Sequence, residues 1–327
     1  MKRALIIRHC AYGDAIHASH LPRLLHSKGY IVDINTNQKG SMVFMNNPFV
    51  NELIVEDIQA TLAWLVEKHW AVISEGYDKV INLYASIEYE LLAMESDNIY
   101  YMSQEARRKR WEGINYYDQM TISAGYPELQ GKFRGEMFFT EEEHDIVYDW
   151  VTLPKFKDKI LVMLNLSGTG PHKRMVQARE IADRLLELHN DIHIITTGSL
   201  DCQAIDFAKE LGDRATSITG RFPFRQAALI TAHMDCVIGC ESGLMCAATM
   251  FSTPVIQLMT ATDINAHCKY NVNDFSLQSP CKCSPCYKGP YGYFGCPSKD
   301  GNPLCVYFNV DDIINNMGVI LDGETTI

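Results

Sequence analysis

A repeated alternation of short apolar segments and helical patterns constrains the fold of this chain most strongly. Both halves contain the succession of apolar segment, turn, amphipathic helix and second apolar segment, which is typical of a βαβ unit. Strand patterns lie at 4–8, 30–35, 53–55, 79–83, 159–166, 192–197, 216–218, 236–238 and 254–258, and helix patterns at 15–28, 58–69, 87–95, 104–124, 176–188, 202–211 and 224–233. Because crossover helices connect parallel strands, the sequence predicts an α/β chain of two parallel-sheet domains facing a central cleft.

The segment 153–158 interrupts this alternation and resembles a linker. We therefore expect one domain over residues 1–154 and a second over 155–327. The chain has 327 residues, 47% hydrophobic and 21% charged, which suits two folded domains of ordinary size. No apolar run reaches the roughly 18 residues of a membrane span, and the apolar segment 4–7 is too short for a signal peptide. The expected location is the cytoplasm, with the inner membrane face as a peripheral alternative.

The charge balance argues against nucleic acid as a partner. Twenty-nine Lys and Arg residues against 40 Asp and Glu residues give a net charge of −11, which repels a polyanion. The local exception is the basic run Arg107-Arg108-Lys109-Arg110, followed by Trp111. It is either a solvated helix face or a docking patch for an anionic acceptor or a membrane surface.

A glycine-rich turn at 239–243 separates a predicted buried strand from a short helix of small residues. Anionic ligands bind where a parallel strand ends and a helix begins, because the first N–H groups of the helix lack internal partners. Glu241 and Ser242 would add a carboxylate and a hydroxyl that bind sugar hydroxyls beside a phosphate. The alternative is an ordinary turn in which Ser242 caps the helix.

Five motifs, in order along the chain, resemble those of one enzyme family. They are Ile6-Ile7-Arg8 with Gly13-Asp14, the segment 46–54 (NNPFVNELI), Lys173-Arg174, the segment 229–243, and Pro254-Val255. Together they resemble glycosyltransferase family 9, the heptosyltransferase-type family. The resemblance implies the GT-B fold, with two Rossmann-like domains, an N-terminal one that binds the acceptor and a C-terminal one that binds a nucleotide-sugar donor.

The resemblance also implies an activity: inverting transfer of a heptose-like sugar from a nucleotide-diphosphate donor, expected to be ADP-linked, to an acceptor hydroxyl. The expected acceptor is a saccharide or lipopolysaccharide-type glycan, and no catalytic metal is expected. Asp14 corresponds to the catalytic base, although it would also suit a helix cap. The acceptor would lie against 82–86 and 103–117, and His17 or His20 would either assist it or be core residues.

The donor-binding residues follow from the same resemblance. Lys173 corresponds to the lysine that binds the diphosphate, and Arg174 is expected to be only its neighbour. Phe222 would face the base and Asp201 the ribose, although Asp201 also suits a helix cap. The full expected donor set is Ser167, Gly168, Lys173, Gly198, Asp201, Phe222, Glu241, Ser242, Gly243 and Cys246.

Two donor positions depart from the family pattern. Glu241 stands where the family has Asp, so the carboxylate arm is longer by one methylene. Cys246 stands where the family has His, and a thiol does not replace the hydrogen bonds of an imidazole. Both departures affect contacts to the donor and leave the identity of its sugar open.

Two alternative functions remain open at this point. One is a glycosyltransferase that modifies protein or DNA, for which the basic run at 107–110 is the sequence support. The other is a catalytically inactive protein that binds nucleotide sugars, which the changes at Glu241 and Cys246 would permit. The presence of Asp14 and Lys173 favours an enzyme.

Five of the 11 cysteines lie within residues 281–305. Cys283 and Cys286 form a C-x-x-C pair, and Cys296 and Cys305 follow. Four thiolates in two arms can hold zinc or iron in a structural site, with Cys281 as a competing ligand. A subset of the family has a comparable four-cysteine iron-binding finger. The alternative is that these cysteines are unligated or partly joined by disulfides.

Overall fold

The computed structural model describes residues 2–9, 11–58, 63–83, 102–168, 170–200, 202–286 and 296–323, and only the backbone at 63, 64, 104, 105, 107 and 108. These residues divide into two compact units, one up to Phe138 and one from Phe139 onward. Each unit has its own parallel sheet. The predicted α/β class, with a parallel sheet in each half, is confirmed.

The first unit is built on a four-stranded parallel sheet. Its elements are β1 (Lys2–Arg8), α1 (Tyr12–Ala18), α2 (Leu21–Ser27), β2 (Tyr30–Thr36), α3 (Gln38–Phe44), β3 (Glu52–Val55), α4 (Ala63–Ile73), β4 (Lys79–Asn82), α5 (Gln104–Trp111) and α6 (Tyr116–Ser123). The strand order is β3-β2-β1-β4. Leu5 and Ile7 of β1 pack with Val66 and Trp70 of α4 in one core cluster of this unit. Because the strands are parallel and adjacent in this order, the carboxyl ends of β1, β2 and β3 lie side by side at one edge of the sheet.

Two predicted helices of this unit are interrupted. The pattern over 15–28 forms α1 and α2, which are separated at Ser19 and His20. Pro22 lies in the first turn of α2, where its missing N–H is tolerated, whereas it would break a continuous helix. The pattern over 104–124 is divided in the same way near Gly113, which has a positive φ of 74°. The predicted helix at 87–95 lies outside the described residues.

The second unit contains a six-stranded parallel sheet. Its elements are α7 (Glu141–Val151), β5 (Ile160–Asn165), α8 (Ala178–Leu188), β6 (Ile192–Thr197), α9 (Ala204–Glu210), β7 (Ala215–Ser217), α10 (Phe224–Thr231), β8 (Cys236–Cys240), α11 (Gly243–Met250), β9 (Val255–Met259), α12 (Ile264–Cys268), β10 (Leu277–Gln278), β11 (Ser298–Lys299), β12 (Asn302–Pro303) and α13 (Val310–Leu321). The strand order is β10-β9-β8-β5-β6-β7, and β11 and β12 form a separate antiparallel pair. This order puts the carboxyl ends of β5 and β8 next to each other at the centre of the sheet.

One face of this sheet forms the main core of the second unit. Alternate residues such as Val162 and Leu164 of β5 pack with Ile313 and Met317 of α13, as the period of two in a strand requires. Among the described residues, the segment Leu304–Leu321 is long and apolar enough to cross a membrane by length and composition, with 39% of it buried in the protein. The burial of Ile313 and Met317 in this core is typical of a core helix.

The second unit begins earlier than the predicted boundary after residue 154. Helix α7 packs on α10, and Arg225 donates to Glu143 from Nε at 2.6 Å and from a terminal nitrogen at 2.7 Å. Phe139 lies 5.0 Å from the guanidinium carbon of Arg225. The segment 153–158 is thus a loop inside the second unit. The ion pair joins α7 to a helix far along the chain, and the composition of the linker-like segment cannot reveal such a contact.

We expect Arg225→Ala to lower the free energy of unfolding of the second unit by about 3 kcal/mol, because it leaves Glu143 without its partner. Burial alone would raise the pKa of Glu143, but hydrogen bonds from Arg225 and Thr140 lower it below its ordinary value. The contribution of the pair is therefore present at neutral pH and lost as the pH falls below 4.5 and through the folded-state pKa.

Urea unfolding at neutral and acidic pH measures this effect. The matched control is Arg179→Ala, which removes an exposed ion pair with Asp183 at 2.9 Å and should cost less than about 1 kcal/mol. Equal losses in the two variants would contradict the role of Arg225 in holding α7.

Candidate active site

A buried ion pair joins the loops that follow β5 and β8. Lys173 ends a 3-10 turn, Pro171–Lys173, and Glu241 directly follows β8. The Nζ of Lys173 lies 3.4 Å from Oε1 of Glu241, and the two side chains are 23% and 2% exposed, respectively. The pair thus puts a partly accessible ammonium group above a fully buried carboxylate, at the carboxyl edge of the sheet.

The surroundings of Glu241 keep its carboxyl group ionised. Burial by itself would raise the pKa, because a charged form is poorly solvated there. Lys173 makes the largest opposing contribution, followed by His267, the Thr262 hydroxyl and His172, and together they hold the pKa of Glu241 below its ordinary value. The site therefore contains a fixed negative charge beside a lysine.

Gly168 permits the two loops to approach this closely. Its N–H donates to the carbonyl oxygen of Lys173 at 2.9 Å. A Cβ at position 168 would lie 3.0 Å from the Cβ of Lys173 and 3.1 Å from the carbonyl oxygen of Glu241. A larger residue at 168 would therefore separate the ion pair.

Ser242 and Gly243 begin helix α11. The Oγ of Ser242 accepts the N–H of Met245 at 3.3 Å, so the predicted capping role of Ser242 is confirmed. The same Oγ accepts a hydrogen bond from Nδ2 of Asn165 at 3.0 Å. Asn165, the last residue of β5, was not among the predicted site residues, because its partner is 77 residues away along the chain.

Cys246 has an imidazole for a neighbour. It is buried in α11, and its Sγ lies 3.6 Å from Nε2 of His267 in α12. An imidazole therefore stands next to the position where the family motif predicts one, although a different element supplies it. The motif comparison missed His267, because it compares residues position by position.

A cavity of about 530 Å³ lies at the carboxyl ends of β5 and β6. Its lining residues include Ser167, Gly168, Arg174, Ser199, Gln203 and Phe207. It offers a guanidinium group, hydroxyls and an aromatic ring, which are suitable partners for a phosphate, a ribose and a flat base. Arg174, predicted to be only a neighbour of Lys173, lines this cavity, and Phe207 was not among the predicted residues.

The remaining predicted donor residues lie elsewhere or outside the description. Of the described residues, Gly198 and Phe222 are not among those that line the cavity. A Cβ at Gly198 would collide with Sγ of Cys202, so that glycine is needed for packing. The ring of Phe222 meets Trp150 edge-on at 5.5 Å. Asp201 lies outside the described residues.

Asp14 lies in the first unit, in the first turn of α1. Its Oδ2 accepts the N–H of Ala11 at 3.1 Å, so it caps the helix from within the first turn and not from the N-cap position. Its Oδ1 lies 3.4 Å from the buried guanidinium of Arg8, and its side chain is 19% exposed. Two contacts fix the carboxylate while leaving part of it accessible, as a general base requires.

The two histidines of this region belong to the core of the first unit. His17 and His20 are 3% and 1% exposed. His20 shares a hydrogen bond with Oγ1 of Thr121 at 3.0 Å and stacks on Phe133. Burial lowers the pKa of His20 to about 3, so its ring is neutral at physiological pH. The core interpretation is confirmed for His20, and His17 is buried as well.

A chain of polar side chains lies at the carboxyl edge of the first sheet. Asn35 shares a hydrogen bond with Nε2 of His9 at 2.5 Å and donates to Oε2 of Glu56 at 2.6 Å. Oε1 of Glu56 in turn lies 2.8 Å from Nε2 of His69. Sequence reasoning missed this chain, because its members come from four separate segments.

The basic run at 107–110 is helical in α5, and its docking role stays a prediction.

The cysteine-rich region contains no disulfide among the described cysteines. The Sγ atoms of Cys281 and Cys283 are 3.4 Å apart, too far for the roughly 2.05 Å of a disulfide bond. Burial raises the pKa of the Cys305 thiol to about 12, with contributions from Cys286, Cys281, Cys283 and Cys296. These four cysteines therefore lie near enough to Cys305 to affect its charge. Within the described ranges no three of the sulfur atoms of this region lie within 4.8 Å of one another.

Comparison with known proteins places the sequence in one family. Residues 120–291 match the model described as glycosyltransferase family 9 (heptosyltransferase), and no curated protein matches the chain by sequence. A family 9 glycosyl transferase from Veillonella parvula DSM 2008 is 16% identical, with 99% of this chain and 98% of that chain covered and a TM-score of 0.70. The E. coli ADP-heptose lipopolysaccharide heptosyltransferase II is 15% identical, with 99% of both chains covered and a TM-score of 0.65.

The iron-containing dodecameric glycosyltransferase TibC from enterotoxigenic E. coli H10407 is 11% identical, with 99% of this chain and 77% of that chain covered and a TM-score of 0.63. At these identities the structural likeness establishes the fold alone. The predicted GT-B fold is confirmed.

Proposed function

The chain belongs to glycosyltransferase family 9, the heptosyltransferase family, and on that premise we propose that it transfers a heptose, with inversion, from ADP-heptose to a hydroxyl of a lipopolysaccharide-type glycan. The observation that carries the proposal is the buried Glu241–Lys173 pair beside a cavity at the carboxyl edge of the second sheet. In open parallel sheets this edge binds nucleotides. The E. coli heptosyltransferase II is named for ADP-heptose, and TibC has been solved in complex with ADP-D-β-D-heptose.

The donor binds through its phosphates and its sugar. The ammonium of Lys173 neutralises the diphosphate, and Arg174 adds a second cation from the cavity wall. Phe207 supplies a flat surface for the base. The ionised carboxylate of Glu241, buried next to Lys173, keeps that lysine charged and oriented toward the donor. Ser242 shapes the turn through the cap of α11.

The transfer step moves one proton and exchanges one bond. The carboxylate of Asp14 accepts the proton of the acceptor hydroxyl as the acceptor oxygen forms a bond to the anomeric carbon. The bond between that carbon and the diphosphate oxygen breaks, and ADP leaves with the electron pair. Attack opposite to the leaving group inverts the anomeric configuration. Lys173 stabilises the charge that develops on the leaving diphosphate.

The cysteine-rich region is proposed to hold a structural zinc or iron ion. Its donor set consists of thiols only, which both metals accept as thiolates. The ligands are taken as Cys283, Cys286, Cys296 and Cys305, with Cys281 as a substitute for one of them. TibC is described as iron-containing. An ion bound by four thiolates has no open coordination position and therefore serves the fold and not the chemistry.

Incubation with ADP-heptose and a heptose-deficient lipopolysaccharide tests the proposed reaction. We expect release of ADP, addition of one heptose to the glycan by mass spectrometry, and an inverted anomeric configuration by NMR. A parallel incubation with a protein acceptor tests the alternative substrate. Transfer to protein with an unchanged lipopolysaccharide would contradict the acceptor assignment, and retention of configuration would contradict the mechanism.

A further inference from the structure

The segment that carries Cys305 packs against the turn that carries Lys173. Strand β12 and the 3-10 turn Leu304–Val306 both contact the turn Pro171–Lys173. Cys305 itself is buried, with 6% of its surface exposed. Cys305 therefore lies on a segment that contacts the Lys173 turn directly.

This segment forms one arm of the cysteine-rich region, residues 296–306. Strands β11 and β12 pair as an antiparallel hairpin, and the N–H of Leu304 donates to the carbonyl oxygen of Pro297 at 2.9 Å. Cys296 and Cys305 thus stand on a single small hairpin. This hairpin has little apolar core of its own, since Ser298 and Lys299 of β11 are both exposed.

The other arm, residues 281–286, is attached to the end of β9. The N–H of Cys286 donates to the carbonyl oxygen of Ala261 at 2.8 Å. The hydroxyl of Ser284 donates to the carbonyl oxygen of Thr260 at 2.6 Å and accepts Nε2 of Gln278 at 2.8 Å. This arm is therefore fixed to the sheet, whereas the hairpin arm rests on the Lys173 turn.

We propose that a thiolate-bound zinc or iron ion ties the two arms together and thereby holds the Lys173 turn in place against Glu241. The inference rests on the proposed function in one respect, that Lys173 binds the diphosphate of the donor. The cysteines are positioning residues, because they act on the donor through the hairpin and the turn. Without the ion, the turn keeps its own hydrogen bonds, such as that from the N–H of Gly168 to the carbonyl oxygen of Lys173, but the hairpin against which it packs is no longer fixed, so Lys173 is less well ordered.

The consequence is weaker donor binding, because a lysine must be ordered before it can bind a phosphate, and that ordering opposes binding. We expect removal of the ion to weaken ADP binding by about 10-fold, which is the lower end of the effect of losing a group that orients a site. We also expect faster hydrogen exchange of the amides at 171–175, because the turn then opens more often.

Cysteine variants of the full chain test this metal clamp, meaning the ion that joins the two cysteine-bearing arms. Cys305→Ala and Cys286→Ala should lose the metal by elemental analysis and bind ADP about 10-fold more weakly by calorimetry. The matched control is Cys236→Ala, which removes a buried thiol of β8 outside the cluster and should keep both the metal and the ADP affinity. Loss of metal with unchanged ADP affinity would overturn the clamp, as would a wild-type protein purified from metal-supplemented culture without zinc or iron.

A second experiment covers variants that fail to fold. The metal is removed from the wild-type protein with a chelator, ADP binding and hydrogen exchange are measured, and zinc or ferrous salt is then returned. Weaker binding that recovers with the metal supports the clamp, and unchanged binding overturns it. Lys173→Ala in the same series separates the two proposals. If that variant binds ADP as well as the wild type does, the proposed donor site fails; if it binds weakly while cluster variants do not, only the clamp fails.

Discussion

Replacing Asp14 by Asn lowers the rate of sugar transfer by about 10²–10⁴-fold, the usual contribution of a general base, and leaves ADP binding nearly unchanged. The amide keeps the size of the side chain and accepts the N–H of Ala11 as the carboxylate does, but it cannot take the proton of the acceptor hydroxyl. Steady-state transfer rates and calorimetric ADP affinity measure the two effects separately.

Asp78→Asn is the matched control for this variant. Asp78 also accepts a backbone N–H, that of Arg3 at 2.7 Å, and it lies in the same unit. This substitution should change neither rate nor affinity. Transfer by Asp14→Asn within a few-fold of the wild type would contradict the role of Asp14 as base, and an equal loss of donor binding would indicate a structural effect.

Lys173→Ala has the second large effect, because it weakens both ADP binding and turnover. It removes the cation that neutralises the diphosphate, a loss expected to cost about 10²–10³-fold in turnover by analogy with other groups that stabilise transition-state charge. It also leaves the buried carboxylate of Glu241 without its main partner. Burial then dominates, so the pKa of Glu241 rises and the group binds a proton at higher pH than before.

A double variant separates the two consequences of losing Lys173. Lys173→Met with Glu241→Gln removes both charges, so it should recover stability lost by the single variant but not ADP affinity. Lys159→Ala is the control for the removal of a lysine, because Lys159 forms a largely exposed pair with Asp191 at 3.0 Å in the same unit. Wild-type ADP affinity in Lys173→Ala would exclude this lysine from the donor site.

Much of the fold could be predicted from periodicity, because buried parallel strands are short apolar runs such as those of β1, β5 and β8. The bounds of a helix were less predictable where a single residue interrupts an otherwise helical pattern. The pattern over 15–28 satisfies a helix up to Pro22, whose ring and missing N–H force a new start. The division between the compact units lies at Phe138 and Phe139, earlier than the predicted one, because α7 is held by the Arg225–Glu143 pair, which periodicity does not detect.

The motifs located single site residues but not their mutual arrangement. Lys173 and Glu241 were each predicted, yet their approach depends on Gly168, where a side chain would separate the two loops. His267 beside Cys246, and Phe207 in the cavity, come from elements that carry none of the family motifs. Asp14 as base, Asp201 as a ribose contact and the four metal ligands stay predictions.

The dissociation constants of the wild-type protein for ADP-heptose and for UDP- and GDP-linked sugars test the central claim most directly. The account predicts one site per chain, tightest binding of ADP-heptose, and release of ADP from that complex once an acceptor is added. Tighter binding of a UDP- or GDP-linked sugar would contradict it, and so would a complex with ADP-heptose that releases no ADP with any acceptor.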